Sequence, residues 1–142
     1  MLNWLKWKKV GSPSTTDAHP VRCEALIVED QVEESDMLVS LLRVQGVVTN
    51  VARNIAGAVE LIRSSQRYHL AFVDLNLPDG SGVEVIRLIV DTRRMTHVIV
   101  VSGAIEKIPL VMSYGYIGLL GKPYTLDSIR RILWVHRLPH SD

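Results

Sequence analysis

Short apolar runs alternate along this chain with stretches whose apolar positions recur at helical spacing. Ala25–Val28, Leu70–Val73, Val98–Val101 and Ile117–Leu120 have strand length and no polar alternation, the pattern of parallel strands covered on both faces. A weaker run, Val47–Ala52, follows Gly46 and completes a set of five. Between them, Ile55, Ala58, Val59 and Ile62 sit at i, i+3, i+4 and i+7, which predicts an amphipathic helix. Val83, Ile86 and Val90 repeat that stripe, Leu126, Ile129 and Leu133 repeat it again, and Leu38, Leu41 and Leu42 mark a helix after the first strand. Ile105–Met112 is read as the remaining helix, with Pro109 fitting only near its start.

Five strands interleaved with five helices predict an α/β fold with right-handed crossovers. The common arrangement at this size is the flavodoxin-like (βα)5 fold, a doubly wound parallel five-stranded sheet of order 2-1-3-4-5. Ligands of such sheets bind beyond the carboxyl ends of the strands, at the switch point between the first and third.

The residues at that rim are Glu29 and Asp30 after the first run, Asp74 after the third, Ser102 after the fourth and Lys122 after the fifth. Any one of them alone would be an ordinary polar strand end. Together they are harder to dismiss, because crowded carboxylates repel and raise one another's pKa unless a cation is present. A hard divalent ion such as Mg²⁺ resolves the repulsion, binding through one or two carboxylates while keeping several waters. Asp74 is central, and a carboxylate nucleophile beside such an ion can form an aspartyl-phosphate. Lys122 offers a point charge to phosphoryl oxygens and Ser102 a hydroxyl.

Length and composition narrow the picture. With 142 residues, 47% of them hydrophobic, the chain can bury one core. Residues 1–20 form a basic, aromatic segment and a linker rich in Ser, Thr, Pro and Gly, so the folded domain is expected over 21–142. A net charge of +1 with mixed signs gives no argument for direct nucleic-acid binding. The single cysteine, Cys23, excludes an intramolecular disulfide and suits a reducing compartment. The five histidines lack metal-ligand spacing, so zinc is not expected. No apolar stretch is long enough to span a bilayer and the N-terminus lacks a secretory pattern, which makes the cytoplasm the expected location.

The N-terminal segment sets Trp4 and Trp7 among Lys6, Lys8 and Lys9. A disordered tail, a helix packed on its own domain or on a second copy in a homodimer, and a membrane-surface anchor formed by residues 1–10 are the three readings. Protein packing is favoured because exposed tryptophans are costly in water, and the membrane ranks last because so short a basic segment binds weakly alone.

Four stretches, LIVED (26–30), FVDLNLPDGSG (72–82), IVVSG (99–103) and LLGKPY (119–124), strongly resemble the receiver domains of bacterial response regulators. They occur in the family's order and separations, over residues 24 to about 136. The resemblance implies Asp74 as phosphoacceptor, Asp30 as the main metal-binding carboxylate with Glu29 as its acidic neighbour, and the Asn76 backbone carbonyl as a third protein ligand of Mg²⁺. It implies that Ser102 moves toward the phosphoryl group, that Lys122 is the family lysine, and that the Lys122–Pro123 bond is cis. A histidine kinase or histidine phosphotransfer protein would be the donor, and a downstream protein partner would read the result. No output domain follows Leu138, so a stand-alone receiver is expected, and not an enzyme beyond slow self-dephosphorylation. Pro78, Gly80 and Gly82 read as loop-shaping residues rather than site residues.

One position departs from the pattern. The family carries an aromatic ring three residues before the lysine, and this chain has Leu119 there. A degenerate receiver working as a constitutive interaction module is therefore the alternative. A phosphatase of the haloacid dehalogenase class would also use an aspartyl nucleophile, but it wants a second Asp where this chain has Asn76.

Overall fold

The computed structural model of the protein describes residues 23–93, 95–103 and 117–135. Strand β1 (Cys23–Val28) leads to helix α1 (Val32–Val44), β2 (Val47–Ala52), α2 (Ile55–Arg63) and β3 (Leu70–Asp74). A two-residue hairpin, Asn76–Leu77 with Gly80–Ser81, then precedes α3 (Gly82–Thr92), β4 (His97–Ser102), β5 (Ile117–Gly121) and α4 (Leu126–Val135). The five strands form one parallel sheet of order β2-β1-β3-β4-β5. This is the expected flavodoxin-like arrangement. The expected helix at Ile105–Met112 and the N-terminal segment 1–20 lie outside the described residues.

Alternation along the strands divides the core in two. Cys23, Ala25, Ile27, Leu70, Phe72, Ile99 and Val101 point to one face, under Leu38 and Leu42 of α1 and Ile129 and Leu133 of α4. Leu26, Val28, Ala71, Val73, Val98 and Val100 point to the other, under Ala58 and Ile62 of α2 and Val85, Ile86 and Ile89 of α3. In α3 the fully buried stripe is thus Val85–Ile86–Ile89, with Val83 and Val90 only partly buried beside it. The helix is apolar over a wider arc than the predicted Val83–Ile86–Val90 line, so sequence spacing alone did not decide which residues are innermost.

Helix ends are closed both by their own cap residues and by side chains from distant loops. At the start of α2, Asn54 Oδ1 accepts from the Gly57 N–H at 2.7 Å, while Asp79 accepts from Ile55 and Ala56 at 2.8 and 3.2 Å. These satisfy donors that a helix N-terminus leaves open. At its other end, Arg93 donates to the carbonyls of Ile62 and Ser64. Asp79 belongs to the loop after β3, so the same contact ties that loop to α2. No described helix is long and apolar enough to cross a membrane.

Candidate functional site

Strand register brings the rim together. Val28 pairs with Val73, Asp74 with Val101 and Ser102 with Gly121, so Glu29, Asp74, Ser102 and Lys122 all emerge at the carboxyl ends of neighbouring strands. Asp74 is only 5% exposed. Its Oδ1 accepts the Asn76 backbone N–H at 2.9 Å and its Oδ2 accepts from Lys122 Nζ at 3.0 Å. The Lys122–Pro123 peptide is cis, as the resemblance implied.

The loop after Asp74 leaves no room for a side chain at Gly82. A Cβ there would lie 2.1 Å from the Asp74 carbonyl oxygen, so glycine lets α3 begin directly against the end of β3. Gly80 adopts φ 147° and closes the hairpin, a backbone conformation that glycine takes at little cost. Ser81 Oγ accepts the Val83 N–H at 3.1 Å and caps α3.

Lys122 bridges three acids. Its Nζ is 3.0 Å from Asp74 Oδ2, 3.2 Å from Glu29 Oε1 and 2.5 Å from Glu34 Oε1. Burial alone would lower the lysine's pKa, but hydrogen bonds to Glu34 and Asp74 and the fields of Asp74 and Glu29 hold it above its ordinary value. Glu29 is 2% exposed, and burial pushes its carboxyl up to about 7. The Gln31 N–H, 3.1 Å from Glu29 Oε2, opposes that rise, and neighbouring Asp74 reinforces it.

Glu29, Glu34 and Asp74 each offer a carboxylate oxygen within 4.8 Å of the others. An all-oxygen, anionic donor set of this kind fits a hard divalent cation. Asp30, expected as the main ligand, is half-exposed and does not belong to this closely set group. Asn76 lies exposed at the start of the hairpin, and Ser102 is half-buried at the end of β4. Leu119 is 43% exposed on β5, whereas Tyr124 is buried in the core.

Two residues here were not singled out from sequence. Glu34 sits in the first turn of α1, one of two adjacent acids there, and nothing in the spacing separates it from Glu33. Arg53, just beyond β2, donates from Nη1 to the Glu29 carbonyl at 3.3 Å and also to the buried Ser35 Oγ. It thereby fastens the first turn of α1 to the end of β1.

The response regulator receiver domain model matches residues 25–133. The chain is similar to the response regulator protein PilR of Pseudomonas aeruginosa, 29% identical over 114 residues, which span 79% of this chain and 25% of that protein. Among solved structures, a CheY-like receiver domain protein from Methanospirillum hungatei aligns with TM-score 0.75 at 23% identity, covering 82% of this chain and 94% of that one. The response regulator TrrA of Thermotoga maritima, solved in complex with Mg²⁺-BeF, aligns with TM-score 0.72 at 20% identity over 80% of this chain and 98% of that one. The fold, the order of its motifs and the match across most of its length agree, and the chain belongs to the response regulator receiver domain family.

Proposed function

We propose that this chain takes a phosphoryl group onto Asp74 from a phosphohistidine of a histidine kinase or histidine phosphotransfer protein, and signals through changed contacts with a protein partner. The observation that carries this reading is the placement of Asp74. It is a buried carboxylate at the end of the central strand, with one oxygen on a backbone N–H and the other on Lys122. In the transfer, an Asp74 oxygen attacks phosphorus and the O–P bond forms as the P–N bond breaks. The imidazole leaves with the bonding pair and takes up a proton. Phosphoryl transfer asks mainly for positioning and charge stabilisation. Lys122 is placed to donate to a phosphoryl oxygen, and Ser102, at the end of the adjoining strand, supplies a hydroxyl on the same rim.

Glu29, Asp30, Asp74 and the Asn76 carbonyl would hold Mg²⁺, and when bound it would neutralise charge building up on the transferred group. The TrrA complex with Mg²⁺-BeF supports that choice of ion. The chain is a phosphoacceptor rather than an enzyme, with slow self-dephosphorylation at most, working in the cytoplasm without contacting nucleic acid itself.

Acetyl phosphate with Mg²⁺ tests the reading: the parent should acquire one acid-stable, base-labile phosphoryl group, and Asp74→Asn should acquire none. Labelling of Asp74→Asn equal to the parent would place the acceptor elsewhere. A second reading, a degenerate receiver acting as a constitutive interaction module, is favoured by Leu119, which lies exposed at the position of the family's aromatic ring. That reading expects no labelling of the parent.

A further inference from the structure

The shortest of the three ion pairs on Lys122 goes to a residue outside the expected site. Glu34 Oε1 lies 2.5 Å from Nζ, against 3.0 Å for Asp74 and 3.2 Å for Glu29. Although the Glu34 side chain is 42% exposed, this oxygen is shut off from solvent. Its helix turn is fixed from two sides. The Gln31 N–H donates to Glu29 Oε2, and Arg53 joins the Glu29 carbonyl to Ser35 Oγ.

An ammonium has three donors and no acceptor, and here three carboxylates crowd around it, Asp74 as a hydrogen-bond acceptor and Glu29 and Glu34 as ion-pair partners. A phosphoryl group on Asp74 would add about one negative charge and three acceptor oxygens. Lys122 can serve those oxygens only by giving up part of this arrangement. Asp74 itself moves with the phosphoryl group and Glu29 is held by the Gln31 N–H, so Glu34 is the partner that competes with phosphorylation from outside.

We propose that Glu34 is a positioning residue for Lys122: it holds the ammonium in the resting state and opposes its transfer to a phosphoryl group on Asp74. The residue thereby sets how strongly the resting state is favoured. This rests on the phosphoacceptor reading above. It involves no covalent step, only exchange of the anionic partners around Nζ.

The test measures beryllofluoride binding at saturating Mg²⁺ for the parent, Glu34→Gln and Asp36→Asn, the last an exposed acid of the same helix that controls for general charge. Glu34→Gln should bind about threefold to tenfold tighter, the scale of one partly exposed charge-assisted contact. Asp36→Asn should stay within about twofold of the parent. In parallel, the metal-free parent should show a slowly exchanging Lys122 ammonium resonance in nitrogen-15 NMR, and Glu34→Gln should lose it. Binding by Glu34→Gln equal to or weaker than the parent overturns the proposal, as does an unchanged ammonium resonance. Glu34→Ala serves as the second variant and should move both readouts in the same direction. A parent that takes up no beryllofluoride would instead defeat the phosphoacceptor reading itself.

Discussion

The side chains of this domain divide into those whose chemistry is free to act and those that packing has silenced. Cys23 is of the second kind. It is 2% exposed at the start of β1, and burial, helped by neighbouring Glu24, pushes its thiol up to about 12. Since the thiolate is the reactive form, Cys23 should resist iodoacetamide at about pH 8 in the native protein and react promptly once urea unfolds it. Rapid modification of the native protein would show that the β1 end opens. Tyr124 is silenced at a cost: its ring lies in the core and its hydroxyl is buried without a hydrogen-bond partner among the described residues. Removing such a hydroxyl lifts a desolvation penalty. Tyr124→Phe should therefore be neutral or stabilising by about 1 kcal/mol in urea unfolding, and a loss of more than about 1 kcal/mol would mean that the hydroxyl does have a partner. Sequence was enough to place Glu29, Asp74, Ser102 and Lys122 on one rim, because each directly follows or ends an apolar run. It could not pick out Glu34, whose role depends on how α1 rotates against the end of β5.

Secondary-structure elements here were legible to the extent that their signals are local. The span Val47–Ala52 is the same in sequence and structure, and the other strands extend the predicted runs by a residue or two. Contacts that close the elements are another matter. Asp79 reaches Ile55 across 24 residues and Arg93 reaches Ile62 across 31, and no periodicity encodes such pairs. Gly82 stands between the two cases. As a loop glycine it reads as simple turn chemistry, yet its missing Cβ is what allows α3 to start against the Asp74 carbonyl. Gly82→Ala should cost about 1–3 kcal/mol, as overpacking of a close contact does. It should lower the urea midpoint at unchanged slope, and it should slow phosphorylation by displacing Asp74. Parent-like stability would show that β3 and α3 can separate without loss.

For the whole molecule, the proposed Mg²⁺ site would set folding, proton binding and metal binding against one another. Glu29 titrates near 7 in the folded protein, against about 4.3 for an unfolded glutamate. Between those values the folded state binds more protons. The stability this group contributes is therefore complete below about 4.3 and is lost as pH rises through about 7. His97 acts in the opposite sense, since burial lowers its pKa and its neutral form is favoured on folding. Comparison with Glu29→Gln separates the two: without metal, the parent should lose stability relative to that variant between about pH 5 and about pH 8. Magnesium requires the ionised carboxylate and so competes with the Glu29 proton. Stabilisation by a ligand of the native state grows with its excess over Kd, reaching about 2.7 kcal/mol at a hundredfold excess. The rise in thermal midpoint on adding Mg²⁺ should therefore be larger at about pH 8 than at about pH 6 in the parent. In Glu29→Gln that rise should be smaller and nearly the same at both values. Equal Mg²⁺ effects at the two pH values in the parent would remove Glu29 from the proton balance of the site and leave the metal to Asp30, Asp74 and Asn76 alone.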